Sequence, residues 1–130
     1  MLKRLSRIGL AIMVLGSLQL ARAQKMTEFY IPIGQSPRVS GSQSIIGTIE
    51  TINAPERRLT MTDEQGRYTV QVTERTQIWL DHSALKTRNQ YGSFASLKPQ
   101  LRVEVKYEES ARSDQITAEW IKVEIRAGRQ

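Results

Sequence analysis

The stretch Arg58–Thr73, RLTMTDEQGRYTVQVT, decides the fold class. From Arg58 to Thr62, Leu59 and Met61 fall on one side of an extended chain and Arg58, Thr60 and Thr62 on the other. From Arg67 to Thr73 the same alternation sets Tyr68, Val70 and Val72 against Thr69, Gln71 and Thr73. A period of two held over about 4–8 residues marks a half-buried strand, because successive side chains leave a pleated backbone on opposite faces. Asp63-Glu64-Gln65-Gly66 between them is hairpin-loop chemistry, with Gly66 able to take positive φ without a Cβ clash. An antiparallel hairpin is predicted.

Working outward, Ile45 to Ile52 reads as a first strand in which Ile45, Gly47 and Ile49 share a face. Ile52 joins that face only if one residue is bulged, and a glycine beside a period slip predicts a coiled, bulged strand. Asn53-Ala54-Pro55-Glu56 is turn chemistry. On the other side, Thr76 to Leu80 prolongs the third strand or adds a short one, and Asp81 ends it. Between Ser83 and Pro99 the pattern is irregular: Ser83 is placed to cap a short turn through Lys86, and Ser93 a second turn that holds Phe94 and Leu97 against the core. Leu101, Val103, Val105 and Tyr107 then alternate with Arg102, Glu104 and Lys106 as a fourth strand. After a polar loop from Glu108 to Asp114, Gln115 to Ile125 forms a fifth. There Ile116, Ala118 and Trp120 share one face and Ile121, Val123 and Ile125 the other, so the strand touches two cores or is bulged near Trp120.

The expected architecture is all-β: a small five-stranded Greek-key barrel of the OB type, with a short helical or irregular plug between strands 3 and 4. Closure also removes exposed edges. Gly47-Thr48-Ile49-Glu50, Val72 to Thr76 leading into Ile78, and Leu97-Lys98-Pro99-Gln100-Leu101-Arg102-Val103-Glu104-Val105 resemble the exported bacterial OB-fold-like domains of unknown function, over about Ile46 to Ile125. Such domains carry a glycine where this chain has Gln100, which predicts either a negative φ or a strained glutamine there. The resemblance implies fold and export, and no activity.

Ahead of the barrel the chain changes character twice. Lys3, Arg4 and Arg7 form a basic head, Ile8 to Leu20 an apolar run, and Ala21-Arg22-Ala23 a small-x-small cleavage site, so residues 1–23 read as a removable signal peptide. The run is shorter than the roughly 20 residues a membrane span requires, so no transmembrane anchor is expected after cleavage. Residues 24–44, broken by Pro32, Gly34, Pro37 and Gly41, read as an extended arm, and residues 45–130 as the barrel domain. Phe29, Tyr30, Ile31 and Ile33 give the arm more apolar surface than a free linker carries, which predicts docking on its own barrel or on a partner's sheet edge.

Export reshapes the charge argument. The leader takes four of the 19 basic residues and none of the 13 acidic ones, so the formal net charge of +6 falls to +2. With no cysteine there is no disulfide, thiolate site or lipid attachment, and the core alone must hold the domain. His82, the single histidine, sits beside Asp81, a pairing that invites a catalytic or metal reading. Ser83 is too close in sequence to converge as a nucleophile, and one imidazole with one carboxylate leaves a metal short of ligands, so a polar loop at a strand end is the expected role. Glu104, flanked by Arg102 and Lys106, reads with Glu108, Glu109 and Glu119 as solvated mixed charge. The outward positions of strands two and three hold no aromatic for base stacking, and Arg57, Arg58, Arg67 and Arg75 make only a modest patch, so no nucleic acid is expected. Trp79 and Trp120 are each either core or partner-binding anchors.

The reading is an exported, non-catalytic binding or interaction module of the cell envelope, placed in the periplasm or outside the cell, with an envelope protein or small ligand as partner. Candidate binding residues are Phe29, Tyr30, Trp79, Trp120 and Arg75. No catalytic residue, cofactor or metal is assigned. The alternatives are a small periplasmic enzyme using Asp81 and His82 or the strand carboxylates, and a weak nucleic-acid binder.

Overall fold

The computed structural model describes residues 27–128; the basic head, the apolar run and the cleavage site lie outside them. Thr27–Tyr30 forms one short turn, closed by the Tyr30 N–H on the Thr27 carbonyl, with the Phe29 and Tyr30 rings edge to face at 4.9 Å. From Ile31 onward the chain forms a separate unit built on strands β1 (Ser44–Asn53), β2 (Arg58–Asp63), β3 (Gly66–Gln71), β4 (Gln77–Asp81), β5 (Gln90–Tyr91), β6 (Arg102–Tyr107) and β7 (Gln115–Glu124). The sheet order is β3-β2-β1-β6-β7-β4-β5, and a further parallel pairing of β3 with β7 closes β1, β2, β3, β7 and β6 into a five-stranded OB-type barrel.

The hairpin forms in the expected register, with Leu59 opposite Val70 and Met61 opposite Tyr68. Asp63 Oδ1 accepts the N–H groups of Gln65 at 2.8 Å and Gly66 at 3.1 Å and so closes the loop. Both expected irregularities are bulges. In β1 the pairing jumps across Glu50, which returns Ile52 to the inner face opposite Leu59. In β7 it jumps across Glu119: Ala118 faces Tyr107 and Trp120 faces Lys106. Ile116 and Ala118 before the bulge, and Ile121 and Val123 after it, therefore enter one core, while Trp120 turns outward.

Two short strands join the expected five, the first of them the added strand that was one alternative for Thr76 to Leu80. Gln77–Asp81 is a strand of its own, parallel to the C-terminal half of β7, and Gln90–Tyr91 adds to its far edge. The plug consists of two 3₁₀ turns, Ser83–Leu85 and Phe94–Ser96, with Leu97 buried behind them. Ser83 lies inside its turn rather than capping it, and its N–H is held by Asp81 Oδ1 at 2.9 Å. Gln100 adopts φ +78°, the strained alternative. Its N–H on the Ile49 carbonyl, at 2.8 Å, and the Ile49 N–H on the Leu101 carbonyl, at 2.9 Å, hold the turn against a left-handed penalty of about 1–2 kcal/mol. Over residues 31–43 the segment expected to be extended is a run of turns, with Ser40 N–H on Ser36 O and Gln43 N–H on Val39 O.

Two predictions follow from these contacts. A Cβ at Gly47 would lie 2.2 Å from the Thr62 carbonyl oxygen, a backbone atom that cannot rotate away. Gly47→Ala is expected to cost about 1–3 kcal/mol in urea unfolding, with the fold retained. Asp63 is the second: burial raises its pKa, but the Gln65 N–H, the Arg112 guanidinium paired with it and the Gly66 N–H together hold it below its ordinary 3.8. A carboxyl depressed in the folded state contributes stability above its unfolded pKa and loses it as the pH falls through the lower folded value. In a carbon-detected NMR titration Arg112→Ala should therefore raise the Asp63 midpoint, and an unmoved midpoint would exclude the ion pair as a cause.

Candidate functional site

The outer faces of the barrel differ sharply. One cross-strand row runs Ile46, Glu104, Lys122, Trp79 and Tyr91 over β1, β6, β7, β4 and β5. Glu104 and Lys122 are 0% and 1% exposed, which overturns the expectation that Glu104 is a solvated surface charge. Its Oε1 accepts the Gly34 N–H at 2.9 Å, and its Oε2 accepts the hydroxyls of Ser40 at 2.6 Å and Ser44 at 2.7 Å. The Lys122 ammonium donates to Ser36 Oγ at 3.0 Å and lies 4.6 Å over the Trp120 ring. Asp81, also buried, accepts the Ile33 N–H on Oδ2 at 2.9 Å. Residues 33–44 thus lie over β6, β7 and β4, bound to three charged side chains that strand periodicity alone assigns to water.

The opposite face is open. Thr51, Thr60, Thr69 and Gln115 form one row across β1, β2, β3 and β7, and Thr48, Thr62 and Arg67 another. The hydroxyls of Thr51 and Thr60 meet at 2.6 Å. The cations on this surface are paired locally, Arg58 with Glu56 and Arg67 with Glu50, each at 3.0 Å. A flat, hydroxyl-rich surface with neutralised charge can hydrogen-bond a polar ligand or a protein surface, and it offers no continuous cationic track for a phosphate backbone.

Of the sequence-named residues, the structure pairs Trp79 with Trp120 and Phe29 with Tyr30, and Arg75 lies in a turn of its own. Trp79 and Trp120 are 3% and 2% exposed, with ring centroids 5.5 Å apart, so neither presents a face to a partner. Their burial corrects the anchor reading and follows from the Glu119 bulge, which sets Trp120 on the same outer face as Trp79. Phe29 is buried and Tyr30 exposed. Arg75 lies in the exposed turn between β3 and β4, its backbone N–H on Thr73 Oγ1. Asp81 and His82 hold structural positions: the imidazole Nδ1 lies 3.2 Å from the Leu80 carbonyl, and the His82 N–H donates to Asn89 Oδ1 at 2.7 Å. Among the described residues no group of three His, Asp or Glu side chains could hold a metal, and no helix is long and apolar enough to cross a membrane. Sequence reasoning missed Lys122, which reads as an ordinary outward strand lysine, and Tyr91, an exposed aromatic in the irregular connector.

No family model and no curated protein matches the chain. Among solved structures it is similar to a copper(II)-bound variant of CusF from Escherichia coli, at 12% identity and a TM-score of 0.43, over 62% of this chain and 88% of that one. It is also similar to silver(I)-bound CusF, at 12% identity and a TM-score of 0.40, over 62% of this chain and 93% of that one.

Removing the Glu104 carboxylate leaves three donors, the Gly34 N–H and the hydroxyls of Ser40 and Ser44, without their acceptor in a buried layer. Glu104→Ala is expected to lower unfolding stability by about 3 kcal/mol or more. It should also speed amide exchange at Gly34 above that at Thr60. Glu104→Gln, which keeps an acceptor, should cost less.

Proposed function

We propose that the chain is an exported, non-catalytic binding module of the cell envelope that meets its ligand or partner protein through the open outer face of β1, β2 and β3. The observation that carries this reading is the division of labour around the barrel. Asp81, Glu104 and Lys122 hold the N-terminal segment and the plug in place, while the threonine rows bear hydroxyls toward solvent. In OB-type barrels the face around the second and third strands is the one that takes ligands. Fold alone does not carry function, and the support here is the chemistry of that face. Export rests on the basic head, apolar run and Ala21-Arg22-Ala23, with the periplasm as the destination.

The enzyme reading would need Asp81 and His82 to act on each other or on a substrate. Asp81 places both oxygens on backbone N–H groups and His82 turns Nδ1 to a backbone carbonyl, so the observed bonds give each a scaffold role. The nucleic-acid reading would need an unbroken cationic groove, and the pairing of Arg58 and Arg67 with glutamates interrupts it.

The test is capture from an envelope extract by the immobilised protein, compared with a Thr60→Lys/Thr69→Glu variant. The two positions face each other across β2 and β3, so the new charges pair and the sheet is retained while the hydroxyl surface is lost. A bound species retained by the wild type and lost by the variant, at equal melting temperature, is the expected result. Equal capture by both would reject the face, and hydrolytic activity abolished by Asp81→Asn would reject the non-catalytic reading. Intact mass of the protein recovered from the envelope should place its first residue at Gln24.

A further inference from the structure

Among the described residues, open depressions on the barrel differ in the charges that line them. One, of about 560 Å³, is lined by Asp63, Glu64 and Arg102 and so carries both signs of charge, with Asp63 paired with Arg112 and Arg102 with Glu124. A second, of about 410 Å³, holds Arg58 and Glu109; the arginine is paired with Glu56, and the glutamate accepts the Thr117 N–H at 2.7 Å. A third, of about 360 Å³, lies where the C-terminal ends of β4 and β7 meet the plug, and its chemistry is of one sign. Leu80, Leu101 and Ile125 give it an apolar floor, and His82, Gln90, Ser96 and Lys98 give it a polar rim.

No carboxylate lines this third depression. The nearest acid in sequence, Asp81, is bound through both oxygens to the N–H groups of Ile33 and Ser83. Among the described residues, the side chains of Lys98 and Gln90 make no hydrogen bond or ion pair. Ser96 Oγ accepts the Ser93 N–H at 3.1 Å and keeps its own proton to donate. A carbonyl only accepts, so the His82 Nδ1 beside the Leu80 carbonyl carries its proton, and in that tautomer Nε2 is an acceptor that adds no donor to the site. The depression thus offers a cation, an amide and a hydroxyl above aliphatic side chains.

We propose that this depression binds a small aliphatic carboxylate, with its chain on Leu80, Leu101 and Ile125 and its head group at Lys98. A carboxylate leaving water needs its lone pairs met by donors, and an ammonium, an amide and a hydroxyl supply them, the first through a charge-assisted hydrogen bond. The volume lies at the low end of small-molecule pockets, which suits a short chain rather than a long-chain fatty acid. The site shares no residue with the threonine face and stands or falls separately from the module reading.

The probe is sodium hexanoate, added at constant ionic strength to isotope-labelled protein purified as the cell processes it and followed in amide correlation spectra. Saturable shifts at Gln90, Ser96, Lys98 and Leu101 are expected, with Lys98→Glu weakening binding about tenfold or more and Lys98→Arg leaving it within about threefold. Lys98 is exposed, and the spectra themselves report whether each variant is folded. Hexanol, with the chain but no charge, and acetate, with the charge but almost no chain, should each bind at least about tenfold more weakly. Absence of saturable shifts, equal binding of hexanol or acetate, indifference to Lys98→Glu, or shifts confined to the threonine face would each overturn the proposal.

Discussion

A carboxylate with no access to water organises this molecule. Glu104 sits on the outside of the barrel, where a strand side chain ordinarily meets solvent, and is nevertheless completely buried. Moving a carboxylate out of water is costly unless its lone pairs are met, and its donors are Gly34 and Ser40 in the segment before the first strand and Ser44, that strand's first residue. The arrangement is reciprocal: the segment fixes the carboxylate, and the carboxylate gives the segment one geometry. Lys122 on the neighbouring strand contributes the opposite charge at the same level of the sheet, and Asp81 holds the segment at Ile33. A second layer, in which Glu104, Lys122 and Asp81 lie buried with Trp79 and Trp120, is built on the outside of β6, β7 and β4.

That layer depends on where β7 changes face. Without the bulge at Glu119 the strand would send Ile121 and Val123 outward with Lys122 pointing into the barrel, where no acceptor waits. The extra residue lets one strand serve three neighbours: β6 along one edge, and β3 then β4 along the other. Closure of the barrel and the placement of Trp79 beside Trp120 are thus one event in β7. The bulge at Glu50 does the same for β1, and the absence of a side chain at Gly47 lets that strand bend against the Thr62 backbone.

The functional reading follows from which polar groups the fold engages and which it leaves open. The charged residues that stand out in the sequence, Asp81 with His82 and the acidic side chains of the last strands, are bound to backbone groups, serines and neighbouring cations. The threonine rows are not covered, and Gln90 and Lys98 face a cavity with an apolar floor. Charges that hold the protein's own segment in place, and hydroxyls that face outward, are what support the proposed reading of a binding module.

The sequence by itself determined the five barrel strands, the hairpin, the bulge in β1 and the closed OB-type barrel, while a bulge in β7 was one of two alternatives it left open. These follow from local physics: a period of two, a glycine beside a slip in that period, and turn residues between runs are properties of neighbouring residues. Tertiary structure alone decided what the outward positions face. An outward glutamate between an arginine and a lysine has the same pattern whether it meets water or three donors 60 to 70 residues away. The burial of Glu104, Lys122 and the two tryptophans, the turns adopted by the arm, and the meeting of Lys98 with Gln90 at one depression all depend on contacts distant in sequence, which no local pattern encodes.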